Sequence, residues 1–171
     1  MQKIAYFATE AGIPTELTHV RGSYGPFSAE LKPLLARLAN NGLLREHRHG
    51  RMFLIQPGPT YDDAVKTFGD QLNSWKPMID RVADLLLRVR TDQAEVAATA
   101  LFAARQLSRS GIEAPTEMDI LNSVKEWKQR RKPPLEDEEI AGAIRQLNML
   151  RWFDARPSDD LPLPYDELAA V

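Results

Sequence analysis

Residues 94 to 107 constrain the fold more than any other stretch. Val96, Leu101, Phe102 and Leu107 alternate there with Ala97, Ala98, Ala100, Ala103 and Ala104, so almost every face of a helix over this span is apolar or small. Such a helix cannot lie on a surface, because one side would expose its apolar stripe to water; it belongs in the middle, with neighbours on several sides. The alanines let those neighbours approach closely. Gly111 is placed to end it.

Weaker patterns surround this centre. Ile4, Phe7, Ala8 and Ala11 fall at helical spacing and Gly12-Ile13-Pro14 stops them. Nothing ahead of Gln2 can cap that helix, and so abrupt a start is expected of a piece cut from a longer protein. Thr15 to Val20 reads as a short strand or turn. Ser28 is placed to cap a helix carrying Leu31, Leu34, Leu35 and Leu38, which Asn40-Asn41-Gly42 ends. Leu43 to Glu46 and Arg51 to Ile55 then read as two strands joined through His47-Arg48-His49-Gly50. Gln56-Pro57-Gly58-Pro59-Thr60 suits a linker. Beyond it the chain reads as helical. Trp75, Met78, Ile79, Val82, Leu85, Leu86 and Val89 predict a helix capped by Ser74, with Pro77 in its first turn. Thr116 and Asp119 suit a capping pair ahead of Ile120, Leu121, Val124 and Trp127. Pro133-Pro134 breaks that helix. Glu136 to Glu139 places carboxylates on the first turn of a last one, with Ile140, Ala143, Ile144, Leu147 and Leu150 as its core face.

Helix, helix, hairpin is the outline of a winged helix. Leu38 to Arg45 and Leu147 to Phe153 both pass from an amphipathic helix into a short apolar stretch with an arginine. The expected fold is therefore mainly α with a small β-hairpin: two winged-helix-like helical halves, residues 2–57 and 61–156, packed into one compact unit. An acidic, proline-rich tail follows over residues 157–171, expected to be extended and removable without loss of the fold.

The 171 residues carry no cysteine, which removes disulfides, thiolate metal sites and thiol nucleophiles. With no membrane-length apolar run and no leader expected, the chain reads as a cytoplasmic protein. Dinucleotide, P-loop, zinc-protease and serine-hydrolase signatures are all missing. His47 and His49 share one side of an extended strand but lack a third ligand; Asp62-Asp63 and Asp159-Asp160 are adjacent pairs better suited to a helix start and a solvated tail than to acid–base chemistry. No catalytic residue, cofactor or metal is expected.

Taken together, Gln2 to Pro14, the turn Tyr24-Gly25-Pro26-Phe27-Ser28 with the helix after it, and Val124-Lys125-Glu126-Trp127-Lys128-Gln129-Arg130-Arg131-Lys132 resemble the C-terminal domain of DarG, the antitoxin of the DarT/DarG DNA ADP-ribosylation system. The resemblance spans residues 2 to 153. It implies a non-enzymatic domain that binds a DarT-like ADP-ribosyltransferase and imitates its single-stranded DNA substrate, behind a macrodomain that would remove ADP-ribose. Ser74 to Val96 departs from the family pattern, so toxin contacts do not transfer residue by residue.

Charge gives candidate contacts. Residues 1 to 60 are net +3, residues 61 to 171 net −5, and Leu135 to Val171 alone net −6. Spaced carboxylates can imitate a nucleic-acid backbone. The expected partner-binding residues are Asp154, Asp159, Asp160, Asp166 and Glu167, with Tyr24, Trp75, Trp127 and Tyr165 as aromatic anchors. The free chain is expected to be monomeric. The alternative is a winged-helix nucleic-acid-binding regulatory domain, with helix 28–40 in a groove and Arg45, Arg48 and Arg51 on phosphates. An overall charge of −2 argues against it, and direct DNA binding is not expected.

Overall fold

The computed structural model describes residues 1–50, 52–111 and 114–163. Among them are seven helices and two antiparallel two-stranded sheets, a mainly α fold with small hairpins. The order is α1 (Gln2–Glu10), β1 (Val20–Gly22), β2 (Gly25–Phe27), α2 (Leu31–Asn40), β3 (Leu44–His49), β4 (Met52–Pro57), α3 (Tyr61–Thr67), α4 (Gly69–Arg88), α5 (Thr91–Arg109), α6 (Glu117–Lys128) and α7 (Asp137–Met149). The chain divides into two compact units that are not continuous in sequence. The first is Met1–His19 with Ser28–Asp84; the second is Val20–Phe27 with Leu85–Val171. No described helix is long and apolar enough to cross a membrane.

In the first unit, α1 buries Tyr6 and Phe7 and leaves Ile4 exposed, so its inward face is rotated from the expected stripe. Gly12, at φ 97, ends it: the amide of Ile13 reaches back to the Ala8 carbonyl at 3.0 Å. Ser28 does not cap α2. It is buried, and the Gln2 side-chain amide grips its backbone from both sides, donating to the Ser28 carbonyl at 2.9 Å and accepting from its amide at 3.0 Å. The N-cap is Glu30. Its carboxylate accepts from the Thr18 amide and from Ser28 Oγ, and these two bonds, Thr18 first, hold it below the ordinary carboxylate value. The Gln2 clamp thus takes the residue that a capping rule would have used.

The β3–β4 hairpin pairs Leu44 with Pro57 through to His49 with Met52, so its strands run further than expected. Gly58 then folds back onto the end of α2, where its amide reaches the Leu43 carbonyl and a Cβ would collide with the carbonyl of Gly42. Residues 56–60 therefore lie inside the first unit, tied down by Thr60 Oγ1 donating to the Asn41 carbonyl at 2.8 Å. α4 starts five residues before the expected cap: Ser74 lies within it, donating to the Gln71 carbonyl, and Pro77 sits in the helix interior. The turn-like Gly69-Asp70 opening was hidden by the stronger apolar pattern beginning at Trp75.

The second unit is built on α5, whose residues Val96 to Ala104 are all buried. Its alanines admit α6, α7 and strand β2. Thr116 and Asp119 form the expected reciprocal cap on α6, at 3.0 and 2.9 Å, and both bonds to Thr116 hold the Asp119 carboxyl below its usual value. α7 turns Ile140, Ala141, Ile144 and Leu147 inward, leaving Ala143 and Leu150 half-buried. The paired helix endings seen in the sequence are real geometry. After α2, Gly42 at φ 71 lets the Leu43 amide reach the Leu38 carbonyl; after α7, Arg151 at φ 56 lets the Trp152 amide reach the Leu147 carbonyl, each at 2.9 Å.

Among the described residues, the segment after α7 has no helix or strand but is not loose. Asn148 clamps the Ala155 backbone, Arg156 bridges to Thr116, and Ser158 exchanges hydrogen bonds with the start of α6 through Met118 and Glu117. Leu161 is 3% exposed, and Arg145 donates to the carbonyls of Leu161 and Pro162. Residues 158–162 are therefore tied to α6 and α7 where an extended tail was expected, and their removal is expected to cost stability. Ending the chain at Arg156 exposes the Leu161 site, an apolar loss of about 2 kcal/mol, and is expected to lower the melting temperature by roughly 4–8 °C. Differential scanning calorimetry of the truncated chain checks this, and an unchanged midpoint contradicts the docking.

Candidate functional site

The β1–β2 hairpin and the end of α6 enclose a cleft of about 420 Å³, lined by Gly22, Ser23, Tyr24, Trp127, Lys128, Arg130, Arg131 and Lys132. The hairpin pairs Gly22 with Gly25 and so leaves Ser23-Tyr24 as its two-residue turn; Gly25 takes φ 98, which favours glycine. Pro26 and Gly25 are buried, while Tyr24 projects with 75% of its surface exposed.

Trp127 and Lys128 hold the hairpin in place. The indole Nε1 donates to the Gly22 carbonyl at 3.2 Å and the ring packs 5.3 Å from Phe102 of α5. Arg21, whose Nε donates to Gln106 at 2.7 Å, lies 5.3 Å from the same ring, and Lys128 Nζ lies 5.5 Å from it. Lys128 Nζ also donates to the Ser23 carbonyl at 2.8 Å and to Glu95 at 2.9 Å. Its side chain is 3% exposed and that of Glu95 14%. A buried charge of this kind persists only with a partner and hydrogen bonds, and here it has a carboxylate and a backbone carbonyl.

The other three cations differ in how far they are compensated. Arg131 lies 3.6 Å from Glu95 and donates to the Pro133 carbonyl at 2.7 Å. Among the described residues, Arg130 and Lys132 have no ion-pair partner, and both are exposed. Beyond the cleft, Glu139 is pushed above the ordinary carboxylate value, chiefly by desolvation; Arg131 opposes this and Asp92, Glu95 and Glu136 add to it.

The structure brings together only two of the residues singled out in the sequence, Tyr24 and Trp127. Trp75 is half-buried in the first unit. Asp154, Asp159 and Asp160 are exposed on the docked segment after α7, whose buried Ala155 and Leu161 fix the backbone between and beside them. Tyr165, Asp166 and Glu167 lie outside the described residues. On the β3–β4 hairpin Arg45 and Arg48 are exposed, Arg48 donating to the Gly50 carbonyl, and Arg51 lies outside the described residues. Among the described residues no three His, Asp or Glu gather to hold a metal.

Two features escaped sequence reasoning. One is the cationic lining itself, whose signal was the run Lys128 to Lys132 four residues after Val124. The other is the outer face of α3, the helix that Asp62-Asp63 start and that buries no residue. Tyr61, Val65 and Phe68 fall on one side of it at helical spacing and all are exposed, Phe68 by 54%, with Asp62 and Asp63 exposed on its first turn. No protein-family model matches the chain, and no curated protein matches it significantly.

Replacing Lys128 with methionine strands the partly buried Glu95 and frees the hairpin carbonyl at Ser23. Breaking one side of a buried pair typically costs 3–5 kcal/mol, and because Arg131 remains near Glu95 the expected loss is about 3 kcal/mol. Urea unfolding followed by circular dichroism measures it. Adding Glu95→Gln to Lys128→Met is expected to recover part of the loss.

Proposed function

We propose that this chain is a protein-binding module that neutralises a DNA-modifying toxin, a DarT-like ADP-ribosyltransferase, by occupying its single-stranded DNA site. The observation that carries the reading is α3. A helix that buries nothing of its own yet aligns Tyr61, Val65 and, at its C-cap, Phe68 has a face suited to a partner, and the Asp62 carboxylate at the flank of that face supplies negative charge next to aromatic surface, the pairing a DNA-binding enzyme meets in its substrate. Asp154, Asp159 and Asp160 extend the same logic on the second unit. Being held by a docked backbone, they lose less freedom on binding than a loose tail would. The sequence resemblance to the DarG antitoxin domain supports the same partner class. The reading ascribes binding to this chain and no chemistry, and places it in the bacterial cytoplasm with the toxin.

The winged-helix alternative rests on Arg45 and Arg48, but α2 offers a groove only Lys32 and Arg37.

Co-expression tests the proposal. The chain is expected to rescue cells from its cognate toxin, and Asp62→Lys with Phe68→Ala is expected to weaken toxin binding by more than tenfold, since close interfacial charge pairs couple by roughly 1.5–7 kcal/mol. Both positions are exposed, so the fold is expected to survive. Failure of the wild-type chain to rescue, or cleavage of ADP-ribosyl-thymidine by this chain alone, overturns the reading.

A further inference from the structure

The cationic cleft is not explained by an acidic face that imitates DNA, because its chemistry is the opposite: it is built to receive an anion. Four cations line it, in a chain whose net charge is −2. Two of them are structural. Lys128 is committed to Ser23 and Glu95, and Arg131 to Glu95 and Pro133. They fix the hairpin turn and the chain beyond α6, which are the two walls of the cleft. Arg130 and Lys132 remain exposed without an ion-pair partner among the described residues, on the same wall and two positions apart.

The opposite wall is the turn carrying Tyr24, 75% exposed, on a backbone fixed by the Gly22–Gly25 pair and by the bonds from Trp127 and Lys128. A ring carried on a turn whose backbone is already fixed gives up only side-chain freedom on binding. A π-face beside guanidinium and ammonium groups is the combination that grips single-stranded nucleic acid, bases on the ring and phosphates on the cations. An acidic peptide would use the cations but leave the ring unmatched. At about 420 Å³ the cleft falls within the range of small-ligand sites, roughly 300–1,000 Å³.

We propose that the cleft between the Ser23-Tyr24 turn and residues 127–132 binds a nucleoside phosphate, free or as one unit of a single strand, with the base stacked on Tyr24 and the phosphate met by Arg130 and Lys132. This amends the expectation, drawn from net charge, that the chain has no direct contact with nucleic acid. Net charge averages over the whole surface; the field in a concave site follows the local groups.

The test uses the full chain and fluorescence anisotropy of a labelled eight-nucleotide thymidine strand at low salt, with thymidine monophosphate and an eight-residue glutamate peptide as competitors. Wild-type chain is expected to bind, and with two cations on phosphates the slope of log K against log salt is expected near −1.4, about −0.7 per contact for single strands. Tyr24→Ala is expected to weaken binding roughly 5- to 150-fold, the range found for loss of one stacked base. Arg130→Gln with Lys132→Gln is expected to flatten the salt slope toward zero. All three side chains are exposed, so circular dichroism should show the fold retained. Displacement by thymidine monophosphate at a concentration similar to that of the strand assigns a free nucleotide; displacement by unlabelled strand alone assigns the strand. Absence of binding, unaltered binding by Tyr24→Ala, or equal displacement by the glutamate peptide overturns the proposal. Because no toxin is present, this outcome is read separately from the rescue assay.

Discussion

The Lys128 ammonium is the interaction on which the second unit's functional surface depends. It joins three segments far apart in sequence: the hairpin turn through Ser23, α5 through Glu95, and α6, which carries it. An ammonium with 3% of its side chain exposed has given up most of its hydration, and the Glu95 carboxylate, the Ser23 carbonyl and the face of the Trp127 ring compensate. The bond to Ser23 ties polar backbone at a place where α5 and α6 could supply no ladder partner. Trp127, the preceding residue, adds the bond to Gly22 and fills the space between the hairpin and Phe102. One basic residue thus fixes a turn, and the turn displays an aromatic ring that would otherwise wander.

Features set by near neighbours were legible in the sequence. The α5 core could be read because alanine and aliphatic residues covered every side of one helix. The Thr116–Asp119 cap could be read because it closes within three residues. The β3–β4 hairpin could be read from two short apolar stretches joined through His47 to Gly50. What failed was decided at distance. Ser28 looks like a cap until Gln2, 26 residues earlier, takes its backbone. Residues 20–27 interrupt the first unit in sequence yet belong to the second, since their partners are Trp127 and Lys128, more than 100 residues on. Residues 157–163 look solvated by composition, and are docked because Arg145 meets their backbone and Ser158 the start of α6. Of the expected contact residues, Tyr24 lies on an exposed turn and Trp127 packs beneath that turn.

Charge is segregated in a way that bulk composition conceals. The cleft carries cations around an exposed ring, whereas α3 carries two carboxylates on its first turn, with the exposed rings of Tyr61 and Phe68 at its two ends. Each pairs aromatic surface with one sign of charge, and the signs are opposite. On the proposed reading the acidic face takes the place of a nucleic-acid strand and the basic cleft receives one. Both rely on surfaces fixed beforehand, α3 by its helical backbone and the Tyr24 turn by Lys128, and such fixing favours slow dissociation.

The central claim is that the hairpin of residues 20–27 is held by α5 and α6 through Lys128 and Trp127. Native-state hydrogen exchange tests this most directly, because segments that open together report the same free energy of opening. The account predicts that the paired amides of β1 and β2 exchange together with those of α5 and α6. Exchange of these amides together with α1 and α2, at an opening free energy distinct from that of α5, would contradict it.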